Sequence, residues 1–344
     1  MIVPLPDNKK LTVVYIHRRR RPNSNYSLEA IFEDVRRRLS HLVESRVLIV
    51  PFYSNGLIRR LLIMMAAWRG QGPVNHVTGD INYAGILIAS RRVVLTIADC
   101  GFLDRTTGIR RALLKWFWLK LPVRRAGIIT TISEDAKREI IRHTGCPSEK
   151  IRVIPVAISE DFQPVEARPF PPVPRILQVG TAPNKNLRRV IEALSGIPCV
   201  LVIVGELSSE LQALIRETRI RVENLVNLTS ARIIEQYVQC DLVMFASTVE
   251  GFGMPILEAQ AVGRPVITSA VSSMPEVAGD AACLVDPFDV NSIRDGVLRM
   301  ISEGEYRRSL VEAGYRNIQR FNPQEIALRY FEVYQELLQR VGEV

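Results

Sequence analysis

Around residue 250 the chain reads STVEGFGMPILEAQAVGRPVITS, with Glu250 and Glu258 on either side of Gly251, Gly253 and Pro255. The preceding DLVMFAS is apolar and short enough for a buried strand, which puts Glu250 just past a strand's carboxyl end. Pro255 suits the first turn of a following helix, so Glu258 falls about one turn into it. Gly251 and Gly253 leave backbone N–H groups open to close approach. Two ionised carboxylates there could accept hydrogen bonds from hydroxyl groups. A second stretch, VGTAPNKNL, leaves a strand at Gly180 and opens a helix with Lys185 beside it. A helix N-terminus with a mobile cation can hold a phosphate.

Each stretch has a plainer reading. An isolated pair of glutamates at this spacing is often one capping residue and one solvated residue. The Lys185 loop could be an ordinary strand-to-helix turn, and it is neither GxGxxG nor a Walker loop. Taken together in one predicted domain, the two stretches describe a ligand with hydroxyls on both sides of a diphosphate, which is a nucleotide sugar.

The elements that would position these residues alternate along the whole chain. In the first half KLTVVYI, RVLIVPF, RVVLTIAD and AGIITTIS read as strands. SLEAIFEDVRRRLSHL and GLIRRLLIMMAAW read as helices, as does SEDAKREIIRHTG, capped by Ser133 and ended by Gly145. The second half repeats the pattern with RILQVG, PCVLVIVG, DLVMFAS and RPVITSA as strands and NKNLRRVIEALSG, SSELQALIRETRI, ILEAQAVG and DVNSIRDGVLRMI as helices. Near-continuous apolar strands between amphipathic helices predict parallel sheets covered on both faces. The fold class is therefore α/β, with two Rossmann-like domains facing across a cleft and ligands at the carboxyl ends of the strands. Five prolines between residues 164 and 174 mark a linker, and Asn322-Pro323 starts a terminal helix. The expected organisation is 1–160, a linker at 161–174, 175–322, and a helix at 323–344 that packs back on the first domain.

The 344 residues suffice for two cores, and 47% apolar content places the chain among globular proteins. The longest apolar runs, such as LLIMMAAW, are too short to span a bilayer. MIVPLPDNKK carries its charges after its apolar residues, the reverse of a secretory leader, and the five cysteines are scattered, so a cytoplasmic protein is expected. The net charge of +9 is split: residues 1–170 hold 28 basic and 15 acidic side chains, leaving 17 and 21 for the rest. The first half should attract anions. Its arginine clusters, and the mixture of cations with Trp116, Phe117 and Trp118, suit an anionic membrane surface on the inner face of the membrane. The alternative is that the aromatic run is core.

VGTAPNKNLRRVIEAL, FASTVEGFGMPILEAQAVGRPVITS and SSMPEVAGDAACLVDP resemble the nucleotide-sugar domain of glycosyltransferase family 4, which has the GT-B fold. The resemblance is dense over residues 126–335 and thinner before them. It implies that Glu258 holds ribose, that Glu250 holds the transferred sugar and serves catalysis, and that Lys185 holds the diphosphate. Gly180, Thr181 and Arg188, with the Gly251–Phe252–Gly253–Met254 backbone, complete the implied donor site. Thr181 stands where many members have an arginine. The resemblance also implies retaining, metal-independent chemistry without a cofactor, a nucleotide-sugar donor, and a glycan or lipid-linked acceptor in cell-surface polysaccharide synthesis such as that of lipopolysaccharide. In the first half the family's glycine-rich loop is replaced by HRRRRPNSNYS, and its strand-end His-Asp pair by Ala98-Asp99. Asp99 remains as a catalytic candidate, and Arg21, Asn23, Ser24 and His76 are acceptor-side candidates. Two other functions compete. One is a nucleotide-sugar epimerase on the same fold. The other is a basic nucleic-acid-binding protein, for which no recognition motif is present.

Overall fold

The computed structural model describes residues 10–19, 27–103 and 108–340. The chain divides into two compact units, Met1–Ala157 with Pro323–Val344, and Ile158–Asn322.

The first unit contains β1 (Leu11–His17), α1 (Ser27–Arg38), β2 (Val43–Ile49), α2 (Leu57–Arg69), β3 (Val74–Val77) and β4 (Val93–Thr96). A long helix follows as α3 (Gly108–Leu114), a π-helical stretch (Lys115–Lys120) and α4 (Leu121–Arg125). β5 (Ile128–Thr131), α5 (Glu134–Thr144) and β6 (Ile151–Val153) complete the first run. The strands form one parallel sheet in the order β2-β1-β3-β4-β5-β6. β1, β3, β4 and β5 are almost wholly buried, as parallel strands covered on both faces must be, and edge strand β2 is largely exposed. Ser133 caps α5 by accepting from the Ala136 N–H at 3.1 Å, and Gly145 ends the helix in the left-handed region at φ 70°.

The second unit contains β7 (Arg175–Val179), α6 (Leu187–Leu194), β8 (Val200–Val204), α7 (Ser209–Thr218), β9 (Arg221–Leu225) and α8 (Ser230–Gln239). Then come β10 (Leu242–Phe245), α9 (Met254–Val262), β11 (Val266–Ser269), α10 (Met274–Ala278), β12 (Cys283–Val285), α11 (Val290–Ser302) and α12 (Gly304–Asn317). Its parallel sheet runs β12-β11-β10-β7-β8-β9. The order reverses between β7 and β10, and open α/β sheets bind ligands at such a switch point. α13 (Pro323–Gln339) returns to the first unit, where Tyr330 meets Phe32 of α1 at 5.3 Å.

Two expectations need correction. The proline-rich segment is not a free linker; it belongs to the second unit. The Val165 N–H donates to Val262 O at 3.3 Å, Phe162 packs on Tyr237 at 5.5 Å, and Arg168 bonds Asp241 at 2.8 Å. Prolines exclude helix and central strand, but they do not stop flanking side chains from anchoring the segment. His76 is not an acceptor-side group. It lies within β3 at 0% exposure, with Nδ1 2.8 Å from the Tyr334 hydroxyl and Nε2 2.7 Å from Thr96 Oγ1. Thr96 continues to Thr130 at 2.6 Å, and Tyr334 donates to the Tyr15 hydroxyl at 3.1 Å. This buried network ties α13 to the centre of the first sheet.

Burial, aided by the nearby His17, pushes the His76 imidazole down to about 3. An unfolded histidine titrates near 6.5, so below that value the unfolded chain binds a proton that the folded chain refuses. This stability is fully present above about pH 6.5 and is lost as the pH falls toward 3. Between pH 7 and pH 5 the loss should be about 2 kcal/mol. Urea unfolding of parent and His76→Gln protein at both pH values checks this: the variant, although less stable at pH 7, should lose about 2 kcal/mol less on acidification.

Candidate functional site

The loop after β7 and the loop after β10 are stitched together at the switch point. The Thr248 N–H donates to Asn184 O at 2.8 Å, and Asn184 Nδ2 donates to Val249 O at 3.1 Å. Asn186, left-handed at φ 60° and buried, sends Nδ2 to Ala246 O at 3.0 Å and Pro287 O at 2.6 Å. Gln178 of β7 donates to Lys185 O at 3.2 Å. Backbone that would otherwise be loose is thereby fixed from three strands.

Lys185 and Glu250 meet directly in this frame. Lys185 Nζ lies 2.7 Å from Glu250 Oε1, with side-chain exposures of 19% and 15%, and Asn184 Nδ2 donates to the same oxygen at 3.0 Å. Lys185 also stands 4.6 Å over the Phe245 ring, a favourable place for a cation. Its stem crosses Gly180: a Cβ at Gly180, which has φ 92°, would lie 3.1 Å from Lys185 Cε. Thr181 lies beside Gly205. Arg188 is exposed on α6, where its charge faces Glu192 at 3.8 Å.

The Glu250 loop is held from the other side by two serines. Ser272 Oγ donates to Glu250 O at 2.8 Å and accepts from its N–H at 3.3 Å, and Ser273 Oγ donates to Phe252 O at 2.6 Å. The Phe252 side chain is buried against Phe321 at 5.8 Å, so only its backbone faces outward. Gly253 at φ 122° turns the chain into α9, whose N-terminus has no side-chain cap and Pro255 in its first turn. Pro255 has no N–H and the Ile256 N–H donates to Gly253 O at 3.0 Å, so this end offers the Met254 N–H and the positive end of a helix dipole.

Glu258 is half-buried in α9. Its Oε2 accepts from the Tyr237 hydroxyl at 2.5 Å, and among the described residues Oε1 takes no hydrogen bond. Burial pushes this carboxyl above the usual carboxylate range, although Tyr237 and the Lys185 charge pull the other way. Tyr237, at 0% exposure, is driven well above its ordinary value by burial and by Glu258. Tyr237, Asn184, Ser272 and Ser273 were not foreseen. Tyr237 comes from a different helix, 21 residues before Glu258 in the chain, and no local pattern links the two.

The remaining candidates lie elsewhere. Asp99 belongs to the first unit, is exposed past β4, and accepts from the Gly101 N–H at 2.9 Å. With Asp80, Asn82 and Trp118 it lines a cavity of about 340 Å³. Arg21, Asn23 and Ser24 lie outside the described residues. Among the described residues no three His, Cys, Asp or Glu side chains group to hold a metal ion.

The arrangement is a part-buried lysine paired with Glu250 and felt by the Glu258 carboxyl, at the switch point of a parallel sheet. Two family profiles account for it: "Glycosyl transferases group 1" matches residues 161–317 and "Glycosyltransferase Family 4" matches residues 12–162. The chain belongs to glycosyltransferase family 4. It is 29% identical over 233 residues to the O-antigen chain mannosyltransferase B of Escherichia coli, covering 62% of this chain and 61% of that protein. It is 26% identical over 229 residues to an MMP alpha-(1->4)-mannosyltransferase of Mycolicibacterium hassiacum, covering 62% and 55%. These matches span less than two thirds of either relative. Among solved structures, a glycosyltransferase from Rickettsia africae aligns with a TM-score of 0.76 at 17% identity over 96% of this chain and 99% of that one. Anabaena Alr3699/HepE, solved in complex with UDP and glucose, aligns with a TM-score of 0.76 at 17% identity over 95% and 100%. At that identity the likeness establishes the fold, which is GT-B. The epimerase alternative receives no support from these matches.

Removing Glu258 should weaken nucleoside diphosphate binding by about 1–3 kcal/mol, the scale of a hydrogen bond to a charged group. Glu250→Ala should leave that binding intact or tighter, because Lys185 loses its partner and is freed for phosphate. Calorimetry with GDP and UDP on both variants measures this, and equal losses in the two would contradict the division of roles.

Proposed function

We propose that this chain is a retaining glycosyltransferase that moves a hexose of mannosyl type from a nucleoside diphosphate sugar onto a glycan or lipid-linked acceptor in cell-surface polysaccharide synthesis. The observation that carries the reading is the contact of Lys185 with Glu250 at the switch point of the second sheet. Mannosyltransferase relatives support the sugar assignment.

The donor diphosphate lies against Lys185 and the positive end of α9. Lys185 then exchanges Glu250 for phosphate oxygens, and Glu250 is released to accept from the hydroxyls of the transferred sugar. Glu258 offers Oε1 to ribose hydroxyls while Tyr237 holds Oε2 in place. Lys185 and the helix end together stabilise the negative charge that grows on the diphosphate as the glycosidic bond breaks. We take the reaction to be metal-independent, because the charge it must offset lies within reach of these groups. In the first unit, the cavity holding Asp80, Asn82, Asp99 and Trp118 has the aromatic ring and polar groups that suit an acceptor sugar.

Parent protein should release nucleoside diphosphate from GDP-mannose only when acceptor extract is present, with no loss in EDTA and an α-linked product by NMR. Epimerised donor, without diphosphate release, would sink the reading. Lys185→Ala should lower kcat/KM at least about tenfold, and more than Arg188→Ala does.

We also place the first unit on an anionic membrane surface. No helix among the described residues is long and apolar enough to cross a membrane. α2 exposes Leu57 (78%) and Ile58 (77%) beside Arg59 and contains no acidic residue. α3 and the π-helical stretch expose Ile109 (81%), Leu113 and Trp116 beside Arg111 and Lys120. The aromatic run divides between core and surface, since Phe117 and Trp118 pack on Tyr83 at 5.4 and 4.8 Å. Arg18 is engaged by Glu29 at 2.6 Å and Asp80 at 2.8 Å, which moves the weight of the proposal to α2 and α3. Vesicles containing anionic lipid should co-sediment the protein, less so as salt rises, and Leu57→Ser/Ile58→Ser should reduce recovery several-fold. Equal recovery on neutral vesicles would overturn the placement.

A further inference from the structure

The second unit holds another cavity, of about 440 Å³, at the end of the sheet opposite Lys185 and Glu250. Asp241 and Pro265, which directly precede β10 and β11, line it, as does Gly304 at the start of α12. Four arginines converge there, Arg168, Arg264, Arg307 and Arg308, against two carboxylates, Asp241 and Glu312.

The charges do not balance. Asp241 is taken by Arg168, through Nε at 3.1 Å and Nη2 at 2.8 Å, and also accepts from the Arg175 N–H at 2.8 Å. Arg264 is only 7% exposed; its Nη2 donates to Val238 O at 2.6 Å, and its buried Nε has no partner among the described residues. Arg307 gives Nη1 to the carbonyls of Met300 and Ile301, at 2.5 and 2.8 Å, and stacks 4.0 Å from the Phe170 ring. A carbonyl satisfies one N–H but cancels no charge, so Arg264 and Arg307 stand buried or part-buried without a carboxylate of their own. Burial together with a neighbouring arginine pulls both below their ordinary values. Arg308 is exposed and forms a long ion pair with Glu305 at 3.8 Å. α12 begins here without a side-chain cap, which adds free N–H groups and the positive end of a dipole.

Holding the carbonyls of Val238, Met300 and Ile301 occupies one nitrogen of each arginine. It does not explain why uncompensated cations gather around an open volume with apolar walls at Pro169, Phe170, Pro265 and Val311. We propose that this cavity is a binding site for a phosphate-bearing small molecule, separate from the donor site. The phosphate lies among Arg264, Arg307, Arg308 and the start of α12, and the organic part lies against Phe170 and the prolines. Since residues 167–170 form one wall, occupancy would clamp the proline-rich segment onto the second unit.

The inference is independent of the donor-site reading, and calorimetry with inorganic pyrophosphate on Lys185→Ala protein separates the two. Binding should persist in that background. It should weaken at least about tenfold on adding Arg307→Ala, the scale of losing a charged hydrogen bond, and severalfold on adding Arg308→Ala. Arg308 is 70% exposed, so its removal cannot unfold the core and the test stands even if the Arg307 variant folds poorly. Loss of all binding in the Lys185→Ala background, or binding unchanged by the arginine substitutions, would overturn the proposal.

Discussion

The Lys185–Glu250 ion pair is the contact on which the donor site depends. It joins two loops that leave strands β7 and β10, 65 residues apart in the chain. A part-buried pair of opposite charges supplies little net stability, because desolvation offsets much of the attraction. What it supplies is position. Lys185 is pinned by Glu250, by the Phe245 ring and by the space over Gly180, so its charge is fixed before any ligand arrives. With the charge already placed beside the site, only the exchange of Glu250 for phosphate remains to be made before negative charge develops on a substrate.

The support around the pair is almost entirely neutral hydrogen bonding. Asn184 and Asn186 bind one loop to the other, and Ser272 and Ser273 hold the Glu250 backbone. Tyr237 performs the same service for Glu258, holding one carboxylate oxygen and leaving the other for a ligand. Two groups of cations thus lie at opposite ends of one sheet. At one end Lys185 stands with carboxylates close by, suited to a ligand that carries both hydroxyls and phosphates. The other holds arginines that outnumber their carboxylates, suited to a phosphate-bearing ligand.

The first unit is built on different terms. Its centre is a buried polar chain through Tyr15, His76, Thr96, Thr130 and Tyr334, which fastens the terminal helix to the sheet. Every atom in that chain has a partner within it, which is how polar groups are tolerated inside a core. Its outer helices do the reverse and leave leucine, isoleucine and tryptophan exposed beside arginine.

Much of this was legible in the sequence because it rests on local rules. Alternating apolar runs and helical spacing specify two parallel sheets, Ser133 and Gly145 mark the ends of α5, and glycine and proline frame the loop that carries Glu250. The family resemblance points to Glu250, Glu258 and Lys185 as a group. Pairing was not legible, because it depends on which strand ends become neighbours once the sheet order reverses. Only the tertiary structure joins Lys185 to Glu250, brings Tyr237 to Glu258, and sets Thr181 beside Gly205. Burial was equally hidden. The sequence places His76 near a strand end, where a histidine could serve a substrate, but α13 returns across more than 250 residues to cover it. A local pattern can state which side chains carry chemistry; the long-range return of the chain decides which of them water and ligands can reach.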